Sequence, residues 1–277
     1  MTRNLRLMAL TTLTAGTLAF AAACGGGGGG GGAEDTGGAE GTGAAGGGGE
    51  TITVASDIAY RPFEFDQGGE PVGFDIDLMN EIGERAGFTP EFQNVTFDGI
   101  IPGLGSNLYD AAISAMTITP EREEQIDFSD PYFNADQSLM VPADSGITSI
   151  EDGLENSVVG VQIGTTGASQ AEQFQQEGQI GEVRTFDTIE DAFTALESGQ
   201  VDAVINDLPV SQDRVNQSDG ALEIVQTIPT GEQYGIAFPQ DSELVEPVNE
   251  ALQEIKDDGT YAEIYREWIG REPESIP

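Results

Sequence analysis

Basic residues are scarce in this chain: 10 Lys+Arg stand against 49 Asp+Glu in 277 residues, and Lys256 is the only lysine. An arginine beside a strand end therefore stands out. Arg122 lies in Met116-Thr117-Ile118-Thr119-Pro120-Glu121-Arg122, directly after the buried-strand pattern Asp110 to Ala115. Thr119 can cap a helix with Pro120 at its first position, which puts Arg122 in the opening turn near unpaired backbone N–H groups. A planar guanidinium matches a carboxylate with two parallel bonds, so Arg122 reads as an anion receptor or as half of a structural ion pair. Gly164-Thr165-Thr166-Gly167, between a strand and a helix, is either a second anion-friendly element or a plain turn. It lacks the lysine of a phosphate loop, which argues against a nucleotide. Asn206-Asp207 ends a strand, where the carboxylate either accepts an ammonium or caps the next helix. Asp57 follows the first strand, with Tyr60 and Phe63 beyond it; Phe63 suits the core better than Tyr60 does.

The elements that must position these residues alternate. Thr51 to Ser56 reads as a strand through Ile52 and Val54. Gly73 to Gly87 places Phe74, Leu78, Ile82 and Ala86 on one helical face, with Gly87 as its stop. Phe92 to Val95 reads as a strand, Phe97 to Leu104 as a short helix, and Val158 to Ile163 as a strand. Thr188 to Gly199 is the clearest helix: Thr188 caps it, Ile189, Ala192, Phe193 and Leu196 form the stripe, and Gly199 ends it. Val201 to Ile205 and Tyr234 to Phe238 are strands, and Glu243 to Asp258 and Tyr261 to Ile269 close the chain as helices. Pro247 inside the first of these predicts a kink, and Trp268 in the second predicts packing. Such alternation argues α/β architecture with mainly parallel sheets. Ligands of open α/β sheets bind beyond the carboxyl ends of the strands, where the chemistry-bearing residues fall.

The N-terminus implies export. Arg3 and Arg6, an apolar run from Leu7 to Phe20, and Ala21-Ala22-Ala23 make a signal peptide over residues 1–23. Cys24, the single cysteine, follows as in a bacterial lipoprotein box, although Ala21 stands where leucine is usual. Residues 24–50 are then a lipidated cysteine and a glycine-rich linker, too poor in apolar side chains to build a core. The net charge of −39 excludes nucleic acid and repels anionic lipid surfaces. Its acids are spread over every amphipathic segment rather than gathered in a tail. That pattern reads as adaptation to high salt, and it predicts a fold that loosens as salt is removed.

Ordered motifs give a resemblance. Tyr60-Arg61-Pro62-Phe63-Glu64-Phe65, Gly73-Phe74-Asp75-Ile76-Asp77-Leu78, Phe97-Asp98-Gly99-Ile100-Ile101-Pro102 and the Met116–Arg122 segment come in sequence. Asp127-Phe128-Ser129-Asp130-Pro131-Tyr132, Val161-Gln162-Ile163-Gly164-Thr165-Thr166, Tyr234-Gly235-Ile236-Ala237-Phe238 and Gly259-Thr260-Tyr261 follow. Together they resemble the solute-binding proteins of ABC importers for polar amino acids, over residues 51–271. The resemblance implies a two-lobed periplasmic-binding-protein fold of type II with two hinge strands. Lobe one would hold 51–136 plus 232–277, and lobe two 137–231. It implies that Arg122 takes the α-carboxylate of an amino acid, supported by Thr117, Thr165 and the backbone at Thr166. Asp207 and the Ser114 carbonyl would take the α-ammonium, Tyr60 and Phe97 would sandwich the side chain, and Asp57, Gln162 and Asn206 would surround its distal end. Ligand held between lobes binds the closed state better, which drives closure.

A monomer without cofactor or metal is expected, with the importer's permease and ATPase subunits as partners and the lipid on Cys24 as tether. Asp57 favours a basic side chain, because no lysine is available to neutralise it and an uncompensated buried carboxylate is costly. Gln162 and Asn206 suit an amide, so glutamine stays open. Compatible solutes and a dehydratase-like enzyme on the same fold are the alternatives. Against the enzyme stand the absence of histidine and of an evident perturbed acid and base. The orientation of Arg61, toward cleft or solvent, is open.

Overall fold

A computed structural model describes residues 49–277. The signal peptide, Cys24 and the linker up to residue 48 lie outside the described residues. The folded part starts one residue earlier than expected, because Glu50 already pairs with Phe88.

The first strand, β1 (Glu50–Ser56), buries Ile52 and Val54 as their alternation predicts. A small antiparallel sheet follows, made of β2 (Ala59–Tyr60), β3 (Glu64–Asp66) and β4 (Pro71–Val72). The sequence pattern does not announce it, since strands of two or three residues are too short for period-two alternation to register. Helix α1 (Phe74–Ala86) ends on Gly87 at φ +84, the left-handed stop that glycine supplies. Then come β5 (Phe88–Asn94), α2 (Phe97–Gly105), β6 (Ala111–Ala112), α3 (Pro120–Glu123) and β7 (Asp127–Phe128). The long β8 (Phe133–Pro142) carries the chain into a second sheet. There follow β9 (Val158–Gln162), α4 (Thr166–Gln176), β10 (Glu182–Phe186), α5 (Ile189–Glu197), β11 (Ala203–Asp207) and α6 (Leu208–Gln217). Thr188 caps α5 by accepting from the Asp191 N–H, as its position predicts. The chain returns through β12 (Leu222–Tyr234) to β13 (Ala237–Phe238), α7 (Val245–Asp258) and α8 (Thr260–Ile269).

Two five-stranded sheets result, ordered β5-β1-β6-β13-β7 and β10-β9-β11-β8-β12. Each is mixed where the strand–helix alternation predicts mainly parallel sheets. In each, two pairings are parallel and two antiparallel, so four strands run one way and one, β13 in the first sheet and β8 in the second, runs against them. The parallel trios are the βαβ units that the alternation detects. The antiparallel pairs are the strands by which the chain enters and leaves each lobe, and they leave no helical period in the sequence.

The lobes are joined by β8 and β12, which pair antiparallel with register shifts between Ile224 and Gln226 and between Ile228 and Glu232. At the second shift Gly231 adopts φ +65, and Asp136 Oδ1 accepts from the N–H groups of Thr230 (3.0 Å) and Gly231 (3.2 Å). Bulges bend a strand pair locally, which suits strands that hand the chain from one sheet to another.

An aromatic cluster ties this hinge to the first lobe. Phe133 of β8 stacks on Tyr234 of β12 with centroids 5.6 Å apart, and Phe63 meets both edge-on at 4.8 and 5.4 Å. Phe63 is fully buried, as core. Trp268 packs edge-on against Phe65 and donates its indole N–H to Asp77 at 2.6 Å. Pro247 produces no kink, because α7 begins at Val245 and the first turn has no internal bond for proline to break.

Candidate ligand-binding site

Four strand ends and three helix starts converge on one pocket. The loop after β6 brings Ser114, Ala115 and Thr117, and α3 brings Arg122. The end of β1 brings Asp57, and the start of α2 brings Phe97. From the second sheet come Gln162 at the end of β9, Thr165 and Thr166 at the start of α4, and Asp207 at the end of β11. With Tyr60, these residues line one pocket.

Arg122 resolves one of the open alternatives. Its own N–H is capped by Thr119 Oγ1 at 3.3 Å, as the Thr-Pro pattern predicts. The guanidinium donates to two backbone carbonyls, Thr117 at 2.6 Å and Gly164 at 3.1 Å, and sits over the Phe97 ring at 5.3 Å. Among the described residues no carboxylate forms an ion pair with it. Burial, to 8% exposure, pulls its pKa below the ordinary arginine value, with Asp207 and Glu232 opposing. A buried cation aimed by carbonyls and lacking an ionic partner is prepared for an anion that arrives from outside.

Beside it α4 begins. Thr165 Oγ1 accepts from the Ala168 N–H at 3.1 Å, and Gly164 turns the chain at φ +77. Gly167 is required for a different reason: a Cβ there would stand 2.9 Å from Gln137 Oε1 and 3.3 Å from the Ile205 carbonyl. Thr117 and Thr166 approach hydroxyl to hydroxyl at 3.5 Å across the cleft.

Asp207 is the N-terminal flank of α6, yet its side chain makes no capping bond. The carboxylate instead accepts from the Tyr60 hydroxyl at 2.8 Å, the Tyr234 hydroxyl at 2.5 Å and Gln137 Nε2. Burial raises its pKa, and these three donors and Arg122 pull the other way. Gln137 and Tyr234 come from the two hinge strands, so the carboxylate is held by the hinge itself. Gln137 Nε2 also donates to Glu232 Oε2 at 2.9 Å, and Glu232 accepts from Thr166 Oγ1 at 3.2 Å.

At the far end of the pocket Asp57 is 4% exposed and has no basic partner among the described residues. Gln162 Nε2 donates to it at 2.5 Å and to the Asp187 carbonyl at 3.1 Å. Burial, with a smaller push from Asp98, raises the Asp57 pKa to about 6 against the pull of Gln162 and the Phe97 backbone. The cause is burial, in line with the uncompensated buried carboxylate that the sequence leads one to expect at Asp57.

Ten of the eleven expected ligand-binding residues line this pocket. Asn206 does not: its Oδ1 accepts from the Tyr60 hydroxyl at 3.0 Å, so the Tyr60 ring forms the wall there. Arg61 is also off the pocket, stacked over the Phe65 ring at 3.6 Å from its centroid. Sequence reasoning missed Ala115 in the lining, and behind the lining it missed Gln137 and Tyr234, which donate to Asp207, and Glu232, which accepts from Gln137 and Thr166.

A cation and a carboxylate face each other across a cleft between two lobes joined by paired strands, which defines a two-lobed solute-binding protein of the type II periplasmic fold. Residues 52–271 match the profile of the bacterial extracellular solute-binding proteins, family 3, and the chain belongs to that family. It is 35% identical over 213 residues to the arginine-binding extracellular protein ArtP of Bacillus subtilis, covering 76% of this chain and 82% of that one. The arginine-, lysine-, histidine-binding protein ArtJ of Geobacillus stearothermophilus superposes with a TM-score of 0.75 at 38% identity, covering 81% of this chain and 97% of that one. An ancestral arginine-binding protein bound to arginine gives 0.74 at 44% identity, covering 79% and 97%.

Proposed function

We propose that this protein is the extracytoplasmic substrate-binding component of an ABC importer, tethered through Cys24, that captures a basic L-amino acid by hinge closure. Lobes comprising 51–136 plus 232–277 and 137–231 close on the ligand, and the closed protein delivers it to the permease and ATPase subunits. The observation that carries this reading is the opposition of Arg122 and Asp207 across one pocket, with Asp57 at its far end. Arg122, with Thr117, Thr165 and the Thr166 backbone, takes the α-carboxylate. Asp207 and the Ser114 carbonyl take the α-ammonium. Tyr60 and Phe97 hold the aliphatic part, and Asp57 with Gln162 takes the distal cation. Charge-assisted bonds of this kind contribute about 1.5–3 kcal/mol each. The relatives named above, which bind arginine, lysine or histidine, support the basic class.

The test is a thermal melt of the protein in molar salt against the common amino acids. Arginine, lysine or ornithine is expected to raise the Tm by several degrees, with glutamine weaker. A shift with glutamine alone would transfer specificity to Gln162. No shift with any amino acid, in a protein that melts cooperatively, would overturn the zwitterion site. Bound ligand is expected back unchanged by mass spectrometry, and turnover of a prephenate-like acid would replace transport with catalysis.

A further inference from the structure

Two carboxyl groups that the pocket does not use lie directly behind it. Glu64 on β3 and Asp75 at the start of α1 are both 0% exposed, and burial together with the Asp75 charge pushes the Glu64 carboxyl up. Glu64 Oε1 accepts from Ser114 Oγ at 2.8 Å, and that hydroxyl accepts in turn from the Asp57 N–H at 3.0 Å. Asp75 Oδ2 accepts from the Ala115 N–H at 2.8 Å and the Tyr132 hydroxyl at 2.7 Å. The remaining oxygens, Glu64 Oε2 and Asp75 Oδ1, are buried with no hydrogen-bond partner among the described residues. Two neighbouring buried carboxyl groups with no cation beside them do not both stay ionised, so one proton belongs on the pair.

We propose that Glu64 and Asp75 share one proton at neutral pH and act as a positioning pair for the pocket wall at Ser114 and Ala115. The wall needs such support. Ala115 stands at φ +44, a left-handed conformation that residues with a Cβ seldom adopt. The bond from its N–H to Asp75 holds it there, while Glu64 orients the Ser114 hydroxyl that fixes the chain at Asp57. The titratable groups facing the pair are Asp57 from β1, Tyr60 from β2, Tyr132 ahead of β8 and Tyr261 from α8. None is a cation, so apart from the neutral donors Ser114, Ala115 N–H and Tyr132 only a proton relieves the pair. Burial and mutual repulsion hold the Glu64 carboxyl well above its ordinary range, and burial raises Asp75 to about 6.

The sign follows from linkage. The folded protein keeps a proton that the unfolded chain gives up above about pH 4.5, so stability falls as pH rises through that window. The role in binding rests on the amino-acid reading above, whereas the shared proton does not. Urea unfolding of the wild type and E64Q in molar salt between pH 6 and 8 reads it. The amide of E64Q supplies the bond without a titrating proton, so its folding constant should lose a tenfold-per-pH-unit decline that the wild type shows. D75N is the parallel variant should E64Q not fold. Superimposable slopes for variant and wild type would overturn the shared proton.

Positioning is read by amide exchange at Ala115 and by L-arginine affinity. D75N should keep both within about threefold, and D75L should lose at least tenfold in each, with E64L as the substitute should D75L not fold. A leucine variant that leaves exchange and affinity unchanged would overturn the positioning role. Wild-type protein that binds neither L-arginine nor L-glutamine would overturn the amino-acid reading alone, because slopes and exchange are read without ligand.

Discussion

Replacing Arg122 by methionine is expected to abolish amino-acid binding while leaving the fold intact. Among the described residues the guanidinium is the only cation on the pocket wall, and it is aimed by the Thr117 and Gly164 carbonyls rather than by an acid. A bidentate carboxylate loses two charge-assisted bonds in R122M, about 1.5–3 kcal/mol each. Affinity should therefore fall by roughly two to four powers of ten. Isothermal titration with the tightest amino acid of the melting panel measures it, and a cooperative melt shows that the protein still folds. R122K should recover only part, since an ammonium is a point charge without the planar fork. Wild-type affinity in R122M would mean that the anion is held elsewhere, and Arg122 would become a structural link between the Thr117 turn and the start of α4.

Sequence carries the first half of this argument because the signals are local. Thr119-Pro120 announces a capped helix start within three residues of Arg122, and the structure caps it there. The α1 and α5 stripes and their glycine stops lie within one helix length. What sequence cannot separate are alternatives that differ only in a distant partner. Asp207 as helix cap or as receptor depends on Tyr60 and Gln137, 147 and 70 residues away along the chain. The resemblance puts Asn206 around the distal end of the ligand, yet its contact is the Tyr60 hydroxyl. Glu64 and Asp75 belong to recognisable motifs, but their relation appears only when β3 and α1 bring them behind Ser114. The mixed sheets are illegible for a related reason: the strands that carry the chain between lobes pair across long sequence gaps, as Tyr234 does with Phe133.

Asp57 should decide between a basic and an amide ligand. A distal guanidinium or ammonium would meet a carboxylate whose donors, Gln162 and the Phe97 backbone, carry no charge, so D57N should weaken L-arginine by roughly 1.5–3 kcal/mol, about tenfold or more. Glutamine, whose amide carries no charge, should lose much less, and Gln162 can still donate to the side-chain oxygen that D57N retains. The pH profile gives an independent check with a definite sign. Burial holds Asp57 at about 6. A cationic ligand favours the ionised form, so binding lowers that value. Arginine affinity should accordingly be flat above pH 6 and fall below it, approaching tenfold per pH unit, as the proton competes with the ligand. Glutamine affinity should change little over the same range, and D57N should abolish the acid fall for arginine. Titrations at about pH 5, 6 and 7 with both ligands, spanning that carboxyl's titration, separate the cases. An arginine affinity indifferent to pH and to D57N would place the distal cation away from Asp57. The buried carboxyl would then be carried neutral, bonded to Gln162, and the pocket would be built for an uncharged side chain.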